Sequence, residues 1–163
     1  MSALWARWPV ALGAIALACI AAVIAALAAQ HAFDMRPCPW CILQRFIFLV
    51  VALVCSVGAL VPSAALRRAA AALTVLLAGC GIASAIWQNA VAAKSFSCNL
   101  TFADTVISAL GLESLSPALF QVTASCAEAA VSLLGIPFEF WSLALFALIG
   151  VLAAWLAVRP PVR

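Results

Sequence analysis

The sequence predicts an all-α membrane protein, a four-transmembrane-helix bundle with one long loop that carries a short amphipathic helix. Three observations predict it. Of 163 residues, 69% are hydrophobic and only 8% are charged, and the mean hydropathy is +1.26, a composition no soluble domain of this size shares. The apolar residues gather into four long runs, each able to cross a hydrocarbon core of about 30 Å. Polar residues and prolines fall between the runs, so residues 1–163 read as a single integral membrane domain. A net charge of +3 with no basic run excludes nucleic acid as a partner.

The first span is residues 10–29, an uncharged stretch of 20 residues. Ala26-Leu27-Ala28 resembles a leader cleavage site, but the run exceeds the 7–15 apolar residues of a typical signal core. Residues 30–40 form a short polar loop with His31, Asp34 and Arg36. The second span, 41–61, stops at Pro62, and Ser63 to Arg68 is expected to be a tight connection. The third span, 69–92, is rich in Ala and Gly, which lets helices approach closely; Trp87, Gln88 and Asn89 are expected at its polar end. The loop 93–137 is too long to be a mere connector. Within it Phe102, Val106, Ile107 and Leu110 recur at helical spacing, marking a piece that lies in the interface plane or packs over the bundle mouth. The fourth span, 138–158, lies between Pro137 and Arg159-Pro160-Pro161.

Charge predicts the orientation. Cytoplasmic segments are enriched in Lys and Arg; placing Arg7, Arg67, Arg68, Arg159 and Arg163 inside leaves Arg36, Arg45 and Lys94 outside. Both termini are then cytoplasmic, and loops 30–40 and 93–137 face the oxidising side.

Seven cysteines divide by position. Cys19, Cys55 and Cys80 sit in apolar runs as ordinary small buried residues. Cys38, Cys41, Cys98 and Cys126 sit in or beside polar segments, and four such cysteines on one face imply two pairs in an oxidising compartment. Sequence alone permits three pairings. Cys38-Pro39-Trp40-Cys41 closes a small, readily opened disulfide ring. A helix starting at Pro39 puts Cys41 in its first turn, where unpaired N–H groups favour a thiolate. Arg45, one turn on, reinforces it; the competing reading is a headgroup anchor. The sole histidine, His31, reads as an interfacial polar residue, and no metal site is expected.

Gln30-His31, Cys38-x-x-Cys41 with Arg45, the lone Cys98, and Cys126-Ala127-Glu128 before a Pro-bounded span together resemble the disulfide-bond formation protein B (DsbB) family of bacterial inner-membrane, quinone-dependent thiol oxidases. The resemblance covers nearly the whole chain. It implies that Cys98 is attacked by a reduced periplasmic, thioredoxin-like (DsbA-like) partner, that Cys126 passes electrons to Cys38, and that Cys41 and Arg45 adjoin a ubiquinone or menaquinone. Asn89 is a candidate quinone contact from the third span. Together with its partner and quinone, a member of this family keeps the bacterial periplasm oxidising, a property known of the family and not read from these residues.

Three other readings are weaker. A reductase running the opposite way would carry its active Cys-x-x-Cys late in the chain, whereas here it comes early. In a scaffold, Cys98–Cys126 would be a plain staple worth roughly 3.5 kcal/mol. Zinc favours compact paired spacings, and only one pair here has it; haem attachment would need Cys-x-x-Cys-His.

Overall fold

In the computed structural model, which describes residues 7–94 and 101–158, four helices are long and apolar enough to cross a membrane. They are α1 (Arg7–Ala32), α2 (Pro39–Leu60), α3 (Ala64–Ala90) and α7 (Phe138–Val158). At 1.5 Å per residue they measure roughly 30 to 40 Å, and they alternate in direction. The chain is an all-α, multi-pass membrane protein.

Local chemistry sets the helix ends. Cys38 is extended (φ −91°, ψ 168°) and caps α2, and Pro39 supplies the fixed φ of a first helical position. Ser63 caps α3 through its hydroxyl, which accepts the Leu66 N–H at 3.4 Å. The connection expected over Ser63 to Arg68 is therefore shorter than predicted. Arg67 and Arg68 lie in the first turns of α3, because Ser63 starts the helix in alanine-rich sequence. Arg67 Nε donates to the Gly58 carbonyl at 3.3 Å, covering one of the acceptors left open near the end of α2.

The helices pack in chain order, α1 on α2, α2 on α3 and α3 on α7, whereas α1 and α7 scarcely touch. Two glycines permit the closest approaches. A Cβ at Gly58 would lie 2.8 Å from Ala70 Cβ and 3.1 Å from Leu12, so α1, α2 and α3 converge there. A Cβ at Gly81 would lie 2.5 Å from the Phe146 ring, and that ring stacks on Phe48 with centroids 4.0 Å apart. This aromatic pair ties α7 to α2 across α3.

The long loop folds over the end of the bundle that carries Cys38. Its elements are a 3₁₀ turn (Ala92–Lys94), α4 (Phe102–Ala109), α5 (Leu112–Leu115), α6 (Pro117–Phe120), and a hairpin of β1 (Ser132–Leu133) with β2 (Ile136–Pro137). Thr101 and Asp104 cap α4 reciprocally. The expected amphipathic stripe is only partly the buried one. Ile107 is buried with Ile42, Leu112 and Phe120 and Ala103 is buried too, but Phe102 and Leu110 are exposed. A short helix resting on its Ala103–Ile107 edge turns those two outward. Leu134 and Gly135 both have positive φ, 56° and 79°, the backbone of a tight two-residue hairpin turn. Cys98, Arg159 and Arg163 lie outside the described residues.

Candidate functional site

Three sulfurs meet where the loop covers the bundle. Cys38 Sγ lies 2.6 Å from Cys41 Sγ, and Cys126 packs in the same buried cluster as Cys38. Cys38 is wholly buried and Cys126 nearly so. Backbone bonds bring the distant loop here. The Thr123 and Ala124 N–H groups both donate to the Pro37 carbonyl, at 3.1 and 3.3 Å. Ser125 and Glu128 then cap the turn holding Cys126: the Ser125 N–H and hydroxyl each donate to Glu128 Oε2 at 2.9 Å. Those bonds hold the Glu128 carboxyl below its usual range.

The middle sulfur and the loop sulfur have opposite chemistry. Burial pushes the Cys38 thiol well above its ordinary value, and its hydrogen bond to Cys126 adds to this. Cys126 is held below the ordinary thiol value, first by the bond from Cys38 and then, against burial, by the Trp40 backbone N–H. Trp40 fixes this wall by packing between Trp87 and Phe102, each with centroids 6.4 Å away.

Cys41 faces the other way. It accepts from Gln88 Nε2 at 3.4 Å, and Gln44 Nε2 donates to Gln88 Oε1 at 2.7 Å, so two buried carboxamides back the sulfur. Arg45 is 6% exposed. Its Nη1 donates to Gln30 Oε1 at 2.7 Å and to the Leu119 carbonyl at 3.3 Å, and its Nη2 donates to the Ala26 carbonyl at 3.3 Å. All three acceptors are neutral. Of the five guanidinium N–H groups, Nε–H and one on Nη2 find no acceptor among the described residues.

Cys41, Gln44, Arg45 and Gln88 open onto a cavity of about 610 Å³. It fills the gap between α1 and α7, with alanines 22, 25, 26, 28 and 29 on one wall and Trp141 and Leu145 on the other. Asn89 is turned to one side, donating to Glu139 Oε1 at 2.7 Å; its neighbour Gln88 lines the cavity. Sequence patterns single out neither Gln44 nor Glu139 for the site and place Gln88 only at the interface. The available signal is a polar side chain inside an apolar helix, which membrane proteins keep for a reason. Among the described residues no group of three or more His, Cys, Asp or Glu is arranged to hold a metal ion.

Comparison with known proteins gives a consistent picture. A family model described as disulfide bond formation protein DsbB matches residues 7–156. The chain is 35% identical over 156 residues to disulfide bond formation protein B 1 of Pseudomonas syringae pv. syringae (strain B728a), covering 94% of this chain and 89% of that protein. It is 32% identical over 148 residues to disulfide bond formation protein B of Herminiimonas arsenicoxydans, covering 90% and 92%. The protein of that name from Burkholderia pseudomallei (strain K96243) is 33% identical over 138 residues, covering 84% and 82%.

Proposed function

Since this chain belongs to the disulfide bond formation protein B family, and is thereby a disulfide-forming membrane oxidoreductase, we propose that it reoxidises a periplasmic thioredoxin-like dithiol protein and delivers the electrons to a membrane quinone. One observation carries the reading: Cys38 lies 2.6 Å from Cys41 and in one buried cluster with Cys126, while Cys41 alone of the described cysteines borders the apolar cavity. A relay needs that linear order.

The partner's thiolate attacks the Cys98–Cys126 disulfide at Cys98, forming a mixed disulfide and releasing Cys126. The partner's second thiol resolves it, leaving oxidised partner and reduced Cys98. Cys126, favoured as a thiolate, attacks Cys38 of the Cys38–Cys41 disulfide and expels Cys41 as a thiolate. Exchange is fastest from a thiol ionised near ambient pH, which suits Cys126 as attacker. Cys98 then attacks Cys126 of the Cys38–Cys126 bond, restoring the loop disulfide and leaving the Cys38–Cys41 pair reduced.

Thiol exchange only moves disulfides, so a net new one requires an acceptor outside the thiol pool. The cavity residues fit a quinone. Its wall is apolar, its volume lies in the range of small-molecule sites, and the two unengaged N–H groups of Arg45 are donors suited to a carbonyl oxygen. When bound, a quinone supplies a two-electron, two-proton acceptor beside Cys41. Arg45 and Gln88 would hold it, and Asn89 acts by fixing Glu139 at the cavity wall. The decisive test is Cys126→Ser mixed with the oxidised partner, whose disulfide the unpaired Cys98 thiolate opens, bonding to one partner sulfur and releasing the other as a thiolate. A covalent partner–Cys98 complex should accumulate and be absent from Cys98→Ser; failure to trap it under mild oxidation would contradict the relay.

A further inference from the structure

Resting on the quinone reading of the cavity, we infer that Glu139 is its proton donor, supplying the second proton that the cysteine pair cannot. Glu139 opens α7 and is 5% exposed, yet it lines the cavity. Asn89 Nδ2 holds Oε1 at 2.7 Å, and Oε2 has no hydrogen-bond partner among the described residues. With Oε1 fixed by Asn89 and Oε2 unengaged yet not a buried atom, the carboxyl presents one oxygen to the space it lines. Among the described residues, the other ionisable groups around this cavity are Arg36, Cys41 and Arg45. The two arginines do not give up protons in this range, and Cys41 leaves the exchange step as a thiolate.

The proton count requires such a group. Attack on Cys38 expels Cys41 without its proton; when Cys98 later expels Cys38, that sulfur, favoured as a thiol by burial, takes up the proton Cys98 sheds, so the reduced pair is one thiol and one thiolate. Closing the Cys38–Cys41 bond releases two electrons but only the Cys38 proton. Reduction of a quinone to a quinol consumes two electrons and two protons. The missing proton passes from the Glu139 carboxyl to the reduced oxygen, and the carboxylate is reprotonated from water. That return offsets the proton shed when the thiolate was generated, so atoms and charge balance over the cycle. Asn89 is a positioning residue, aiming the carboxyl by gripping its other oxygen.

The test is Glu139→Gln in the full-length protein, since Gln keeps an oxygen for Asn89 but carries no transferable proton. Three quantities are read with a short-tailed ubiquinone: its affinity from quenching of tryptophan fluorescence, the rate of quinone-dependent reoxidation of the Cys38–Cys41 pair, and the infrared difference spectrum on reduction. Expected are an affinity within about twofold of the parent, reoxidation slowed about 100-fold, as for loss of a general acid, and loss of a carboxyl band the parent shows. Parental reoxidation by Glu139→Gln, or equal loss of affinity and rate, would overturn the assignment. Should that variant fail to fold, the parent's infrared spectrum still decides, because absence of any carboxyl change on reduction overturns it. No quinone binding by the parent would instead refute the underlying reading of the cavity.

Discussion

Arg45 carries a permanent charge into a site whose three protein acceptors are neutral. At the bilayer centre such a charge costs about 3 kcal/mol; here it holds α1, α2 and the long loop together while leaving two donors toward the cavity. Arg45→Lys keeps the charge but loses the planar fork, and should weaken apparent quinone affinity while sustaining partial turnover. Arg45→Met should lose about 100-fold, the scale of two or more charge-assisted hydrogen bonds. Turnover against quinone concentration at matched protein levels measures both, and unchanged affinity in both would remove Arg45 from the site. Cys126 gives a pH prediction. Its thiol is lowered chiefly by the bond from Cys38, so Cys38→Ala should move its alkylation profile to higher pH, with Cys38→Ser moving it less. An unmoved profile in Cys38→Ala would contradict that coupling of Cys126 to Cys38. Cys38, Cys41 and Arg45 were legible because their chemistry lies in local spacing. Gln44, Gln88 and Glu139 were not, because their partners lie on other helices and no short pattern marks the pairing.

Among the helices, the tightest point of approach is Gly81. Adding a methyl group forces Phe146 off Phe48, so Gly81→Ala should destabilise by about 1–3 kcal/mol. Gly79→Ala, with nothing within 4 Å of the added carbon, serves as the control. Thermal unfolding in detergent should separate the two, and equal midpoints would show that the α3–α7 approach is looser than described. The spans were legible from hydropathy, because hydrocarbon requires unbroken apolar length. The loop was less so. Its placement depends on two N–H groups reaching the Pro37 carbonyl and on the Ser125–Glu128 cap. The cap has a sequence signature, Ser-x-x-Glu, but the long reach from Thr123 back to Pro37 has none.

Across the molecule as a whole, the helices put Cys38 and Cys126 at one end and the Arg67–Arg68 start of α3 at the other. If the arginine end is cytoplasmic, a membrane-impermeant thiol reagent should label the redox cysteines of reduced, intact cells, and an Arg67→Cys probe only in inverted vesicles. The opposite pattern would reverse the orientation. The proposed mechanism stands or falls on electrons leaving a partner's dithiol, crossing both cysteine pairs and reaching a quinone. Its sharpest test is anaerobic mixing of the purified protein with reduced thioredoxin-like partner and ubiquinone, followed by quinone absorbance and thiol titration. One quinone should be reduced for each partner disulfide formed, and Cys41→Ser should reduce none; partner disulfides formed with the quinone untouched would contradict the mechanism.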